Sequence, residues 1–158
     1  TKRLSNISNN YEPSKDANKC IIIGKVDILS KGALGIPKKW MELKKVGGES
    51  IQDFPLGEFF FVSLEPGDYV IEKTWMAFGL LGAMGYGYPA DVNVSFKATP
   101  NDIVYIGNLK VTHKFSSLGQ LELTGFDKEI TNDYEAAAKE FKMRYPNIQD
   151  EIKNNLMK

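Results

Sequence analysis

Glu58-Phe59-Phe60-Phe61-Val62-Ser63-Leu64 and Tyr69-Val70-Ile71-Glu72-Lys73-Thr74-Trp75 are two aromatic and β-branched runs separated by Glu65-Pro66-Gly67-Asp68. Such side chains suit a pleated, half-buried surface. The residues between them are turn formers with a mechanism: proline presets φ at the second position of a β-turn, and glycine supplies the positive φ a type II turn requires at the third. The stretch predicts a β-hairpin and, with it, a mostly β fold.

Toward the N-terminus, Cys20 to Leu29 is β-branched and apolar, with a bulge expected at Gly24. Lys38 to Val46 forms the next strand, Met41 and Leu43 on one face and Trp40, Glu42 and Lys44 on the other. Its basic cluster (Lys38, Lys39, Lys44, Lys45) reads as a solvated strand surface or edge guard rather than an anion site. Toward the C-terminus, Val92, Val94 and Phe96 alternate with polar residues. Pro100-Asn101-Asp102 then turns the chain into Ile103 to Val111, apolar on both faces at first and so expected at the centre of its sheet. Ser116-Ser117-Leu118-Gly119 leads into a last strand, Gln120 to Phe126.

The period changes after residue 131. Asn132 and Glu135 have capping-box spacing. Tyr134, Ala137, Ala138, Phe141 and Tyr145 lay an apolar stripe along one helix face, Pro146 ends it, and Ile148, Ile152 and Leu156 suggest a short second helix. The expected architecture is a roughly seven-stranded antiparallel β-sandwich with one or two C-terminal helices. It divides into a polar, flexible tether or loosely docked arm at 1–18, the sandwich at 19–130, and helices packed on or beside it at 131–158.

Twenty basic side chains balance twenty acidic ones in 158 residues, so no global field draws the chain to nucleic acid or to an anionic membrane. The single cysteine rules out an internal disulfide, and its place at the head of Cys20-Ile21-Ile22-Ile23 reads as a buried strand thiol. The preceding Asp16-Ala17-Asn18-Lys19 is polar, unlike a lipoprotein signal, so any lipid-acceptor cysteine is expected upstream of Thr1. Membrane attachment is expected only through such an anchor.

Little in the sequence points to catalysis. His113, the one histidine, is expected near a strand end with its ring toward solvent, with no nucleophile or carboxylate singled out beside it. One His and one Cys far apart do not make a zinc site, and no calcium-loop spacing of acids is present. Glu65 and Asp68 flank a turn, while Asp127, Glu129, Asp133 and Glu135 gather near a helix start, where negative charge suits the dipole. No cofactor is expected.

The unusual segment is 76–90. Its glycines at 79, 82, 85 and 87 are followed by Pro89 and lack a Gly-Lys-Ser/Thr, so it is not a phosphate-cradling loop. Two readings stay open. The segment folds over an open end of the sandwich, or it presents Phe78, Leu80, Leu81, Met84, Tyr86 and Tyr88 to a protein partner, a lipid surface or another copy of the chain.

The stretch Phe61 to Ile71, with Leu64-Glu65-Pro66-Gly67-Asp68-Tyr69 at its centre, resembles the strand-turn-strand of transthyretin-like (prealbumin-like), carboxypeptidase-regulatory-like sandwich domains, which carry a Leu-x-Pro-Gly-x-Tyr hairpin. Ile103-Val104-Tyr105-Ile106-Gly107 and the acidic, aromatic helix ending near Tyr145-Pro146 are similar to small bacterial envelope lipoproteins that carry such a domain. The resemblance implies an exported, non-enzymatic accessory domain on the periplasmic side, anchored at the outer membrane, with no catalytic residue to carry over. The expected function is a binding or assembly module using 76–90. The alternatives are a carrier of a small apolar ligand, held between the sheets or under the loop, and, third, a carboxylate-based hydrolase.

Overall fold

The computed structural model describes residues 2–52, 54–79, 87–116 and 121–158. In chain order the elements are β1 (Lys2–Arg3), a 3-10 turn (Pro13–Lys15), β2 (Cys20–Lys31), β3 (Lys38–Lys45), β4 (Ser50–Gln52), β5 (Phe59–Leu64), β6 (Gly67–Ala77), β7 (Tyr88–Ala98), β8 (Ile103–Ser116), β9 (Glu122–Thr131), α1 (Tyr134–Arg144) and β10 (Ile152–Asn154). The strands expected from the sequence are present; β1, β4 and β10 are short additions. A front sheet runs β1-β4-β3-β6-β7, and a back sheet runs β10-β8-β2-β5 with β9 also against β8.

Glu65-Pro66 is a corner between sheets, not the turn of a hairpin. β5 lies antiparallel to β2 in the back sheet, while β6 lies between β3 and β7 in the front sheet. The reason is that β5 buries both faces. Phe60, Val62 and Leu64 enter the core between the sheets, and Phe61 joins the cluster beneath α1, so β5 belongs to the sheet that carries the helix. The Tyr69 hydroxyl pins the corner by donating to the Glu65 carbonyl at 2.7 Å, and its ring stacks on Phe96 at 5.4 Å. The hairpin of this region is β6–β7, paired from Gly67 with Ala98 to Met76 with Tyr88.

The pairing is not uniformly antiparallel as expected. β2 runs parallel to β8 from Ile21 to Lys31, and β10 to β8 and β1 to β4 are parallel as well. A tight turn forces opposite directions, but β2 reaches β8 only after the chain has passed through the front sheet. A bulge lies opposite Gly24, but its extra residue is on β8, where Ile106 and Gly107 face the single Gly24, and not in the strand expected to carry it. Between Ile23 and Lys25 the register slips by one residue against Tyr105 to Asn108, and a side chain at 24 would meet Phe60 Cζ at 2.7 Å.

Two apolar clusters hold these layers. One lies between the sheets; the other joins Ile21, Ile23, Phe61, Ile103 and Tyr105 on the back sheet's outer face to Ala137, Ala138, Phe141 and Tyr145. The stripe read from the sequence is therefore the buried face of α1. Its cap lies one residue on from the expected capping box: Asp133 is the N-cap, and Asn132 Oδ1 accepts from the Tyr134 amide at 3.2 Å.

Both termini differ from expectation for one physical reason, open strand edges. A second helix around Ile148, Ile152 and Leu156 does not form; Ile152–Asn154 pairs with Ile103–Tyr105, a stretch of β8 that β9, whose pairing starts at Asn108, leaves free. The tail continues with Met157 donating to the Ile106 carbonyl at 2.8 Å and Lys158 exchanging backbone bonds with Ser95 of β7. The N-terminal stretch is not a free tether either. Asn6 Oδ1 accepts from the Phe61 amide, Ile7 donates to the Phe61 carbonyl, and the Tyr145 hydroxyl donates to the Ile7 carbonyl. Each segment satisfies backbone groups that an edge strand would otherwise expose.

Candidate functional site

The strand registers bring one set of connections to the same end of the sandwich. Lys31 pairs with Lys114, Lys38 with Ala77, Met76 with Tyr88 and Ser116 with Glu122. This loop end is formed by the 32–37 connection, the roots of the 78–87 connection and the paired ends of β8 and β9. Of the contact residues expected from the sequence, Phe78 and Tyr88 lie here, while Leu80, Leu81, Met84 and Tyr86 lie outside the described residues.

Phe78, Tyr88 and Phe115 form a three-ring cluster bridging the sheets. Phe115 meets Phe78 at 5.4 Å and Tyr88 at 5.2 Å, both edge to face, and Phe78 meets Tyr88 at 6.4 Å. Edge-to-face packing places the positive ring edge on the negative ring face. The Tyr88 hydroxyl donates to the Leu121 carbonyl at 3.1 Å. The roots of the 78–87 connection are thus half-buried and fastened to the back sheet.

Below this cluster lies the buried pair Thr74 and His113. His113 Nε2 is 2.8 Å from Thr74 Oγ1, and the imidazole lies nearly parallel to the Phe115 ring. The expected solvent-facing ring is corrected: His113 has no exposed surface. The two-residue period that turns Val111 and Phe115 inward turns His113 inward with them. Burial pushes its pKa down to about 4, so it is neutral near physiological pH. Its Nδ1 has no hydrogen-bond partner among the described residues. A neutral ring facing a threonine in an aromatic setting is a bridge between sheets, without the solvent access a general base needs.

The front sheet's outer face carries Trp40 and Trp75 side by side. They are directly paired across β3 and β6, with rings stacked at 5.7 Å and an interplanar angle of 3°. Trp75 Nε1 donates to Glu42 Oε1 at 3.1 Å, while Lys38 and Lys73 place ammonium groups 5.8 and 5.9 Å from the two ring centroids. Gly87 runs against this pair: a Cβ there would lie 3.0 Å from both Trp40 Cη2 and Trp75 Cε3.

The 32–37 connection completes the end. Gly32 has φ +89°, and a Cβ there would sit 2.3 Å from the Phe115 carbonyl oxygen, so the root of this loop is backbone against backbone. Ala33 packs on the inter-sheet core. Beyond it Leu34 and Ile36 stand 93% and 97% exposed on either side of Gly35. These two residues were not singled out from the sequence. The available signal was Leu-Gly-Ile-Pro, an apolar pair in a short connection where polar turn formers are the rule.

Other candidates resolve as structural. Cys20 is buried, and burial pushes its thiol up to about 11. Glu65 pairs with Lys19 at 3.2 Å, Asp127 with Lys114 at 3.1 Å and Lys44 with Glu72 at 3.8 Å. Among the described residues no group of three or more His, Cys, Asp or Glu is placed to hold a metal ion. Clefts at the other end are lined by Tyr69, Phe96, Lys97 and Lys158, about 420 Å³, and by Tyr11, Asp16, Asp102 and Asp150, about 350 Å³. No protein-family model, curated protein or solved structure matches the chain.

Proposed function

We propose that the chain is a non-enzymatic binding module that presents its loop end to a partner surface. The observation that carries this is the state of Leu34 and Ile36, two aliphatic side chains 93% and 97% exposed on a loop whose root is locked at Gly32. Single exposed aliphatics are ordinary. Two on a fixed loop, at the same end as a half-buried tryptophan pair and an aromatic cluster, supply apolar groups a contact can bury. The 76–90 segment takes part through its described roots, Phe78 and Tyr88.

A photo-crosslinking residue placed at Leu34 and, separately, at Met143 tests this reading. Met143 is also exposed, at 73%, but lies on the outward side of α1. Adducts in the native cell are expected at 34 and not at 143. Equal labelling, or none at either position, counts against the loop end as the contact surface.

The finer identity belongs to the same proposal: a transthyretin-like sandwich in a bacterial envelope lipoprotein on the periplasmic side of the outer membrane. Its support is the Leu64-Glu65-Pro66-Gly67-Asp68-Tyr69 corner within a two-sheet sandwich. Mass spectrometry of the protein from its native host is expected to find a lipid-modified cysteine upstream of Thr1. A native chain with an unmodified N-terminus would refute the anchor.

A further inference from the structure

We propose that the partner surface is an anionic lipid bilayer, entered by Leu34 and Ile36 and gripped by Lys31, Lys38 and Lys39; this rests on the reading of the loop end as the contact surface. It adds a second attachment to the upstream lipid anchor expected from the sequence.

The argument is one of charge and layering. The chain is neutral overall, yet from Ile28 to Met41 it carries Lys31, Lys38 and Lys39 and no acidic residue, and from Thr74 to Ala90 it carries no charge at all. All three lysines are exposed, and none is within ion-pair distance of an acid among the described residues. Of the charges that flank the end, Lys73 is neutralised by Asp91 and Lys114 by Asp127, and the exposed Glu122 at the start of β9 offsets only one of the three lysines. The loop end is therefore a local positive site on a neutral protein, and such a site is attracted to the negative surface potential of a bilayer containing anionic lipid.

Side-chain chemistry is ordered along the same direction. Leu34 and Ile36 project from the connection beyond the strand ends, fully free of the protein. Lys38 follows with its ammonium 5.8 Å from the Trp40 ring, and the stacked Trp40–Trp75 pair comes next along β3 and β6. Aliphatic tips followed by basic groups match the hydrocarbon and headgroup layers of a membrane, and indoles with an apolar body and a polar N–H suit the headgroup level beside those basic groups. A protein partner would call for a concave or flat complement with aromatic anchors at its centre. Here the tryptophans lie on the sheet face and the aliphatics on a protruding tip.

Co-sedimentation of the full chain with vesicles tests the inference, using phosphatidylcholine alone and phosphatidylcholine with about 30 mol% phosphatidylglycerol. Binding is expected to the anionic vesicles, with a blue shift of tryptophan emission, and to weaken on raising salt from about 0.1 M to about 0.5 M. The double variant Leu34→Ser/Ile36→Ser and the triple variant Lys31→Gln/Lys38→Gln/Lys39→Gln change exposed side chains only, and each should weaken binding by about tenfold or more. Binding equal to wild type in both variants, or no preference for anionic vesicles, would overturn the inference. If vesicles are ignored while residue 34 still crosslinks to a soluble protein, the loop end remains the contact surface and the lipid assignment falls. If both fail, both readings fall.

Discussion

His113 Nε2 and Thr74 Oγ1, 2.8 Å apart, form a side-chain hydrogen bond between the front and back sheets, with both residues fully buried. The pair makes stability depend on pH with a definite sign. In the folded state burial holds the histidine pKa at about 4, against 6.5 for the free group. Between these values the unfolded chain binds the extra proton. Stability is unaffected above the higher value and is lost as pH falls through the window. The loss approaches about 3 kcal/mol. Urea unfolding from about pH 7 to about pH 4 should show it against a His113→Gln variant, which lacks this slope whatever its own stability. Parallel slopes would sink the assignment.

The Glu65–Tyr69 corner makes a second prediction. Tyr69→Phe keeps the ring stacked on Phe96 and removes only the 2.7 Å bond to the Glu65 carbonyl. The expected cost is about 1 kcal/mol, whereas Tyr69→Ala also opens a cavity and should cost about 3–5 kcal/mol. Chemical denaturation of the pair separates the bond from the packing.

Two glycines in one short loop predict contrasting outcomes. Gly32 and Gly35 both have positive φ, +89° and +102°, but only a Cβ at 32 runs into backbone, 2.3 Å from the Phe115 oxygen. Gly35→Ala should cost about 1 kcal/mol, the conformational term alone. Gly32→Ala must also displace β8 and should cost about 3 kcal/mol or more. Equal melting temperatures for the two variants would contradict the locked root.

Removal of residues 155–158 tests the C-terminal strap. It takes away Met157, 2% exposed within the inter-sheet core, and the paired backbone bonds of Lys158 with Ser95. The expected loss is about 2–5 kcal/mol, read as a lower melting temperature, with Met157→Ala accounting for about half or more of it. A truncated chain as stable as the full one would show that the tail lies on the sandwich without closing it.

Strand positions were legible in the sequence because they are local. The two-residue period in Val92-Asn93-Val94-Ser95-Phe96 and the turn formers at Pro100-Asn101-Asp102 act over a few residues. Partners were not legible, because turn chemistry at Pro66-Gly67 does not say which sheet each flanking strand joins. That depends on Phe61 meeting a helix that begins at Tyr134. The same nonlocality turned Ile152 from a helix position into a strand position. At the site, the 76–90 segment drew attention by its length and composition, whereas Leu34 and Ile36 mattered only once their exposure was known. Trp40 and Trp75 became a pair only through the β3–β6 register.

The parallel pairing of β2 with β8 has a kinetic consequence. Ile21 meets Ile103, and Ile22 meets Val104, across about half of the chain. During synthesis, the doubly buried run Cys20-Ile21-Ile22-Ile23 leaves the ribosome long before its central partner exists. Loop closure over that separation must precede any return from the contacts it makes. Folding of this sandwich is therefore expected to be slow and largely post-translational. The nascent chain carries an aliphatic strand that β5 can pair on one edge only, leaving the other edge for a holdase to grip until Ile103 arrives.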